Sequence, residues 1–351
     1  MANIMITDKC NLKCSYCFAN EFVNKTENEI SLENFISAMN FITQDKTERM
    51  IGLIGGEPTT HSNFAKILKL VIENEDINIA TLYTNAIDIK KYANEISHPK
   101  YRILVNCNSP DDIGQDNFNK MCESLDELIL FRYMRERVTL GINMYKPNFE
   151  YKYIIALLKK YGFKRVRTSI TVPNTNNNKN IDAHKYFQSI KEYVKQFYFE
   201  LLESGIVPYY DCNKIPTCLL SENDYNSFEK FISENRSIYA NLRHSDISSS
   251  IVRCAPVIDI LQDLKAVRCF GLSKYTKIDI GLFSGIEELK NYYKNTIDDF
   301  AFNTAYSSKC VNCHNRTTEK CMGGCLAFKI HDIINIRDIC NRKMLMKGEY
   351  I

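Results

Sequence analysis

The chain has 351 residues, of which 45% are hydrophobic, so it can bury a large core and does not have the composition of a disordered protein. Its 45 lysines and arginines nearly balance its 42 aspartates and glutamates, which excludes a concentrated charge field for nucleic acid or a membrane surface. No apolar run approaches the roughly 20 residues of a bilayer span, and the amino terminus lacks the features of a signal peptide. We therefore expect a cytoplasmic protein with neither nucleic acid nor membrane as a partner.

From residue 3 to about residue 212, short β-rich runs alternate with longer segments of helical periodicity, a pattern typical of a parallel sheet covered by helices. The predicted strands are Asn3–Thr7, Met50–Ile54, Ile79–Thr84, Arg102–Asn106, Val138–Met144, Arg165–Thr171 and Ile206–Asp211. The predicted helices between them are Leu32–Gln44, Phe64–Glu73, Phe118–Arg132, Tyr151–Tyr161 and Ala183–Ser204. Six such units fall short of the eight of a closed TIM barrel, so we predict an α/β fold with a partial, TIM-like (β/α)6 barrel.

The alternation fades after Cys218, where one more helix is predicted at Glu222–Asn235. Short strands and cysteine-rich loops follow beyond Ile251. We therefore predict three parts: the partial barrel over 1–220, a helical linker over 221–250, and a small cysteine-rich α+β domain over 251–351.

Cysteine placement points to metal. Fourteen cysteines in a chain without an export signal do not form a disulfide framework, because the cytosol keeps thiols reduced. Three lie within residues 10–17 and seven between residues 254 and 340, so the two clusters need separate explanations. Cys107 and Cys122 lie in a strand end and a helix, and we expect both in the core.

The first motif comprises Cys10, Cys14 and Cys17, in the segment TDKCNLKCSYCF directly after the first predicted strand. Three thiolates in one loop can hold three irons of a four-iron four-sulfur cubane and leave the fourth iron open. A zinc knuckle is the alternative, but it usually needs a fourth cysteine or histidine nearby, and the nearest histidine is His61. The spacing, with Tyr16 before the third cysteine, resembles the radical S-adenosylmethionine (SAM) family.

The second motif is Gly55-Gly56-Glu57-Pro58, at the end of the second predicted strand. The resemblance implies that this segment binds the amino group of the SAM methionine. Glycines let backbone carbonyls approach a ligand, and a carboxylate suits an ammonium group. Alone, the segment would be an ordinary strand-to-helix turn.

Further SAM contacts are expected at the ends of later strands, the face where barrel enzymes bind ligands. The candidates are Thr84, Asn85, Asn106, Asn108, Asn143 and Arg167. The pair Thr84-Asn85 resembles the family's Thr-Asn-Gly, with Ala86 in place of the glycine. Asn106 and Asn108, at the end of the fourth strand, lie where the family often has a ribose-binding hydroxyl and acid. For each candidate, a turn or strand-cap role is the alternative.

The carboxy-terminal cysteines resemble the SPASM extension of radical SAM maturases, which carries two auxiliary four-iron clusters. The resemblance assigns to the distal cluster Cys310, Cys313, Cys321 and Cys340. It assigns to the nearer cluster Cys254, Cys269 and Cys325. The pattern departs from the family at Leu264, where a glycine is usual, and in the long spacing from Cys313 to Cys321. Two zinc sites are the alternative.

Cys212 and Cys218 lie in YYDCNKIPTC at the end of the last predicted barrel strand. The nearer auxiliary cluster lacks an obvious fourth cysteine, and we hypothesise that one of these two completes it. The alternatives are an active-site thiol and buried structural thiols.

The resemblance implies a reductive cleavage of SAM to a 5'-deoxyadenosyl radical, driven by a one-electron reductant such as flavodoxin or ferredoxin. The leading interpretation is a maturase of ribosomally made peptides (RiPPs), an oxidoreductase that abstracts a hydrogen from a precursor peptide and forms an oxidative thioether or carbon-carbon cross-link. Because the chain begins at its first barrel strand, we expect leader-peptide binding on another surface or on a separate protein.

Two other readings stay open. One is a radical SAM enzyme that generates formylglycine in sulfatases or oxidises a small alcohol. The other is an iron-sulfur electron carrier or a zinc-binding protein. The Gly55–Pro58 segment separates these classes, because a carrier has no need of a SAM ammonium site.

Overall fold

The computed structural model describes residues 1–171, 183–210, 221–234, 257–299, 312–318 and 325. The chain divides into two compact units. The first is Met1–Thr139 with Pro256–Phe300 and Asn335–Ile351, and the second is Leu140–Ala255 with Ala301–Ile334.

The first unit is built on four parallel strands. They are β1 (Ala2–Thr7), β2 (Met50–Gly55), β3 (Ile79–Thr84) and β4 (Tyr101–Asn106). They pair in that order, each parallel to the next. Every residue of β1 is buried, as expected for a parallel strand covered on both faces. All four strands lie within one residue of their predicted bounds.

Helices follow these strands in the first unit. They are α1 (Leu32–Thr43), α2 (Phe64–Glu73), α3 (Ala93–Ile96), α4 (Pro110–Ile113) and α5 (Gln115–Asp126). The helix predicted over Phe118–Arg132 begins and ends earlier than expected. Ser109 caps α4, Gly114 separates it from α5 with a φ of 80°, and a π-helical turn over Glu127–Phe131 replaces the predicted end.

Three short strands extend the β1 edge of this sheet. Strand β8 (Ile258–Ile260) is parallel to β1, β9 (Lys265–Val267) is antiparallel to β8, and β10 (Ile278–Asp279) is antiparallel to β9. Helices α9 (Ser273–Thr276) and α10 (Ile286–Tyr293) belong to the same stretch. The sequence predicts short strands here but places them in a separate domain, because strands of two or three residues give no periodic signal that would link them to the barrel. The domain limits themselves stay a prediction.

The second unit repeats the parallel pattern. It contains β5 (Val138–Met144, from Leu140 onward), β6 (Arg165–Ile170) and β7 (Val207–Tyr210), with β6 parallel to both neighbours. Its helices are α6 (Lys152–Tyr161), α7 (Ala183–Glu203), α8 (Glu222–Glu234) and α11 (His314–Thr317). Parallel strands joined by helices in both units confirm the predicted α/β class. Among the described residues, no helix combines the length and apolar character needed to cross a bilayer.

Candidate functional site

The three cysteines of the first motif lie in a loop whose two ends are joined, which we call the Cys loop (residues 8–29). Asp8 N donates to Asn28 O at 3.0 Å, and Thr7 forms an antiparallel bridge with Glu29. A further hydrogen bond, from Asn24 N to Asp8 O at 2.8 Å, joins the later part of the loop to its first residue. The Cys loop therefore starts and ends at the carboxyl end of β1.

Asn24 holds the backbone of the first cysteine. Its Oδ1 accepts from Cys10 N at 2.8 Å, and its Nδ2 donates to Cys10 O at 3.3 Å. The residue has a φ of 55°, in the left-handed region that asparagine tolerates better than most side chains. Sequence reasoning missed Asn24, because an isolated asparagine in a polar loop carries no periodic or spacing signal.

The thiols of Cys10, Cys14 and Cys17 are all partly buried. Burial raises the pKa of the Cys10 thiol to about 12, and the neighbouring Cys14 and Cys17 raise it as well. Burial also raises the pKa of Cys14 to about 11, again with a contribution from Cys17. Neighbouring cysteines thus add to the raised pKa of Cys10 and of Cys14, and binding a metal through thiolates would release protons.

The donor chemistry of this loop fits an iron-sulfur cluster, because thiolates are the soft ligands that such clusters use. His61, the nearest histidine in sequence, is 3% exposed and has no free ring nitrogen: Nε2 donates to Ile30 O at 3.0 Å and Nδ1 accepts from Asn63 N at 2.9 Å. It is therefore not a fourth ligand for a zinc knuckle. Within the described residues, no three or more His, Cys, Asp or Glu side chains are already arranged to hold a metal ion.

The Gly-Gly-Glu-Pro segment forms hydrogen bonds with the end of β1 and with the Cys loop. Gly56 N donates to Thr7 O at 2.9 Å, and Glu57 N donates to Lys9 O at 2.8 Å. The hydroxyl of Thr60 donates to the same Lys9 oxygen at 3.1 Å. A Cβ atom at Gly56 would lie 2.3 Å from Lys9 O, so only glycine allows this approach. Gly56 thus has a packing role that the sequence does not predict.

The carboxylate of Glu57 is 1% exposed and is surrounded by donors from the protein itself. Its Oε1 accepts from Thr59 Oγ1 at 2.8 Å, from Thr59 N at 3.3 Å and from Thr84 Oγ1 at 2.7 Å. Its Oε2 accepts from Asn85 N at 2.8 Å. Burial raises the pKa of Glu57, and these hydrogen bonds oppose that shift. The side chain therefore ties the ends of β2 and β3 together. The backbone oxygen of Glu57 already accepts from Thr60 N at 3.0 Å and Thr60 Oγ1 at 2.7 Å, and that of Pro58 from His61 N at 3.1 Å. The backbone carbonyls of Gly55 and Gly56 remain as candidates to receive an ammonium group.

Thr84 and Asn85 form a buried turn at the end of β3. Ala86 N donates to Thr84 Oγ1 at 2.9 Å, and Asn85 Nδ2 donates to Asn11 Oδ1 in the Cys loop at 2.7 Å. Ala86 has a φ of 61°, which explains why a glycine would suit this position. The turn-cap roles are thus visible, and SAM contacts at Thr84 and Asn85 stay a prediction.

The end of β4 also meets the Cys loop. Asn108 is buried, and its Oδ1 accepts a hydrogen bond from the hydroxyl of Tyr16. Asn106 is the last residue of β4 and is partly buried. The first unit thus brings together the Cys loop and the ends of three neighbouring strands, as the sequence predicts.

Asn143 and Arg167 belong to the second unit, in neighbouring strands β5 and β6. Arg167 Nη1 donates to Asn143 Oδ1 at 3.1 Å. Gly141 permits this arrangement, because a Cβ there would lie 2.9 Å from Arg167 Cδ. Their expected SAM contacts stay a prediction.

Of the carboxy-terminal cysteines, the structure describes Cys269 before a 3-10 turn, Cys313 before α11, and Cys325, and all three are partly buried. Outside the described residues lie Cys212, Cys218, Cys254, Cys310, Cys321 and Cys340. The auxiliary cluster assignments therefore stay predictions. Cys107 is buried, as expected, whereas Cys122 is partly exposed on α5.

Comparisons with solved structures define the class of fold. SuiB of Streptococcus suis bound to S-adenosylmethionine is 17% identical, with a TM-score of 0.58 over 93% of this chain and 72% of that chain. SuiB bound to precursor peptide SuiA gives a TM-score of 0.57 over 93% of this chain and 71% of that chain. The chain therefore has the α/β partial-barrel fold that the sequence predicts.

A family comparison then identifies the first part of the chain. Residues 4–129 match the family model of the Radical SAM superfamily, so this segment is a radical SAM domain. Curated relatives include the GTP 3',8-cyclases of Desulforamulus reducens, 32% identical over 95 residues, and of Psychromonas ingrahamii, 24% identical over 207 residues. The matches cover 26% and 57% of this chain, and the chain spans only 29% and 52% of those relatives' lengths.

Proposed function

We propose that this protein is a radical SAM peptide-modifying enzyme that cleaves SAM reductively, removes a hydrogen atom from a precursor peptide and forms an oxidative cross-link. The assignment to radical SAM chemistry rests on one observation: the Cys loop, which contains the three thiols, is hydrogen-bonded to the Gly-Gly-Glu-Pro segment. This contact supports the proposal, because a SAM molecule shared by the cluster and the amino-group site requires the two segments to lie side by side.

The chain's own residues supply binding and orientation. Cys10, Cys14 and Cys17 would hold the [4Fe-4S] cluster, which with SAM bound supplies the 5'-deoxyadenosyl radical. Glu57 positions the turn at Thr84 and Asn85 relative to the Gly-Gly-Glu-Pro backbone. Because the hydrogen bonds of Glu57 are internal, this turn is set before any ligand binds.

Two observations support a peptide as the substrate. The fold is similar to that of SuiB, a protein solved in complex with a precursor peptide. The carboxy-terminal cysteines resemble the auxiliary clusters of peptide maturases, and such clusters can take up the electron that an oxidative cross-link releases. The modified peptide would lack two hydrogen atoms relative to the precursor.

The test uses protein that is reconstituted anaerobically with iron and sulfide and supplied with SAM and a reductant. Synthetic peptides encoded beside the gene are incubated with wild type, with a Cys10→Ala/Cys14→Ala/Cys17→Ala variant and with Cys122→Ala as a matched control. We expect 5'-deoxyadenosine and a peptide lighter by two hydrogens from wild type and control, and neither product from the triple variant. If wild type releases 5'-deoxyadenosine but changes no peptide, the peptide assignment is wrong and the radical SAM assignment stands.

A second candidate, cyclisation of GTP, follows from the names of the curated relatives. The short matched segments weaken it, because they leave about half or more of each relative without a counterpart in this chain. Incubation with GTP in place of peptide separates the two. Consumption of GTP coupled to 5'-deoxyadenosine would favour the cyclase, and we expect none.

A further inference from the structure

A cavity of about 390 Å³ lies within the first unit, beside the Cys loop. Its wall includes Asp8, which directly follows β1, and Leu261 and Gln262, which directly follow β8. Because β1 and β8 are parallel neighbours, these residues lie together at the carboxyl ends of the strands, where the Cys loop also begins. Small-ligand sites have volumes of roughly 300–1,000 Å³, so the cavity suits a side chain or a short peptide segment.

Asp8, in the wall of this cavity, has an unmet hydrogen-bond acceptor. Its side chain is 4% exposed, and its Oδ2 accepts from Thr26 Oγ1 at 2.5 Å and from Thr26 N at 3.3 Å. Its Oδ1 is buried and has no hydrogen-bond partner. A buried carboxylate oxygen without a donor is unfavourable, so a ligand that donates to Oδ1 would remove that cost.

Gln262, also in the cavity wall, has the complementary group, an unmet donor. Its Nε2 is buried without an acceptor, while its backbone oxygen already accepts from Asn34 Nδ2 at 3.0 Å. The unmet acceptor of Asp8 and the unmet donor of Gln262 are a combination that a peptide segment can satisfy with an N–H group and a carbonyl.

The charge of the lining favours a cation. Four acidic and two basic side chains line the cavity: Asp8, Glu21, Glu29, Asp263, Lys25 and Lys277. Two of these carboxylates are already in ion pairs: Glu29 Oε1 lies 3.0 Å from Lys9 Nζ, and Asp263 Oδ2 lies 3.3 Å from Lys277 Nζ. Glu21 also has a buried oxygen, Oε1, without a hydrogen-bond partner, but the residue is partly exposed, whereas Asp8 is buried. A charge-assisted hydrogen bond to a ligand therefore favours Asp8 most.

We propose that this cavity binds a lysine or arginine side chain of the peptide substrate. Asp8 Oδ1 accepts from the ammonium or guanidinium group, Gln262 Nε2 donates to a peptide carbonyl, and Phe22 and Leu261 line the path of the aliphatic stem. The identity of the ligand as substrate rests on the proposed function, whereas the cation site follows from the cavity alone. This contact would orient the peptide next to the Cys loop.

The test measures binding to the full chain, reconstituted anaerobically, by saturation-transfer NMR. The probes are N-acetyl-lysine N-methylamide, its norleucine counterpart without the charge, and butylamine without the peptide group. Wild type is compared with Asp8→Asn and with Asp263→Asn, a matched control that removes a carboxylate paired with lysine at the exposed side of the same cavity. Asparagine at position 8 keeps an acceptor for Thr26 but presents an amide to the cavity.

We expect Asp8→Asn to weaken binding of the lysine probe about 10- to 100-fold, the effect of losing a hydrogen bond to a charged group. Asp263→Asn should change it less than about threefold, as for an exposed ion pair. If Asp8→Asn fails to fold, Gln262→Leu serves instead, with an expected weakening of about 3- to 10-fold. On wild type, both the norleucine probe and butylamine should bind at least about tenfold more weakly.

Equal binding of the lysine and norleucine probes, equal affinity of Asp8→Asn and wild type, or no binding at all would overturn the cation site. Butylamine bound as tightly as the lysine probe would overturn the peptide identity of the ligand. Peptide modification is assayed in parallel. If wild type binds the lysine probe through Asp8 but modifies no peptide, the proposed function fails and the cavity site stands. If wild type and Asp8→Asn modify peptides with equal KM, the proposed function stands and the cavity site fails.

Discussion

Replacing Gly56 with alanine tests whether the Gly-Gly-Glu-Pro segment and the Cys loop depend on each other. The new Cβ would lie 2.3 Å from Lys9 O, 2.6 Å from the Lys9 carbonyl carbon and 2.8 Å from Asp8 O. All three are backbone atoms, so no change of rotamer relieves the overlap. The two loops must therefore separate.

The magnitude follows from two effects. Overpacking of this kind costs about 1–3 kcal/mol. Separation also breaks the hydrogen bonds from Gly56 N to Thr7 O and from Glu57 N to Lys9 O, each of which contributes about 0.5–1.5 kcal/mol. We therefore expect the free energy of unfolding to fall by about 2–6 kcal/mol, with a loss of iron because the Cys loop is displaced.

The assay is urea unfolding of anaerobically purified protein, with iron content per chain as a second readout. Gly285→Ala is the matched control, because its nearest atom beyond the local chain is 3.7 Å from the new Cβ and its φ of 174° is ordinary extended backbone. We expect this control to change stability by less than about 1 kcal/mol. A Gly56→Ala variant that unfolds like the control and keeps its iron would refute the reasoning.

Three further substitutions test individual contacts. Glu57→Gln should cost about 2–4 kcal/mol in the same titration, because an amide nitrogen would face the donors around Glu57, and a loss below about 0.5 kcal/mol would contradict this. Asn24→Gly keeps the left-handed backbone but removes the bonds to Cys10, so stability should fall by about 1 kcal/mol and a chelator should remove iron faster than from wild type. Burial raises the pKa of Asp259 to about 7, against a hydrogen bond from Asn3 that lowers it. The folded state thus keeps this proton after the unfolded chain has lost it near pH 4, and stability falls as pH rises from about 4 to about 7. The free energy of unfolding of Asp259→Asn should therefore increase relative to that of wild type as the pH rises across this range. A stability difference independent of pH would contradict the raised pKa of Asp259.

The main strands could be predicted because each is a short buried run between turns. Ile79–Thr84 and Val138–Met144 have the predicted bounds, because every second residue of each strand is buried and this alternation is visible in the sequence. The sequence predicts short strands beyond Ile251, but it does not predict the bounds of β8 to β10 or their place in the sheet, because hydrogen bonds to β1 and to each other define these strands. The polar Ser109-Pro110 start of α4 likewise lies outside any apolar period.

The candidate site, too, has parts that the sequence predicts and parts that it does not. Cysteine spacing and the Gly-Gly-Glu-Pro motif were sufficient to place the Cys loop and the end of β2. The internal role of the Glu57 carboxylate was not predictable, because it depends on Thr84 and Asn85 at another strand end. The bond between Tyr16 and Asn108 is a similar case, since the two residues are 92 positions apart.

The central claim is that Cys10, Cys14 and Cys17 hold a cluster that cleaves SAM. The most direct measurement is iron and sulfide per chain together with 5'-deoxyadenosine release, in wild type, in the triple alanine variant and in Cys122→Ala. We predict that the triple variant loses about four irons and all SAM cleavage, while Cys122→Ala matches wild type. Equal iron content and equal 5'-deoxyadenosine release in all three proteins would contradict the account.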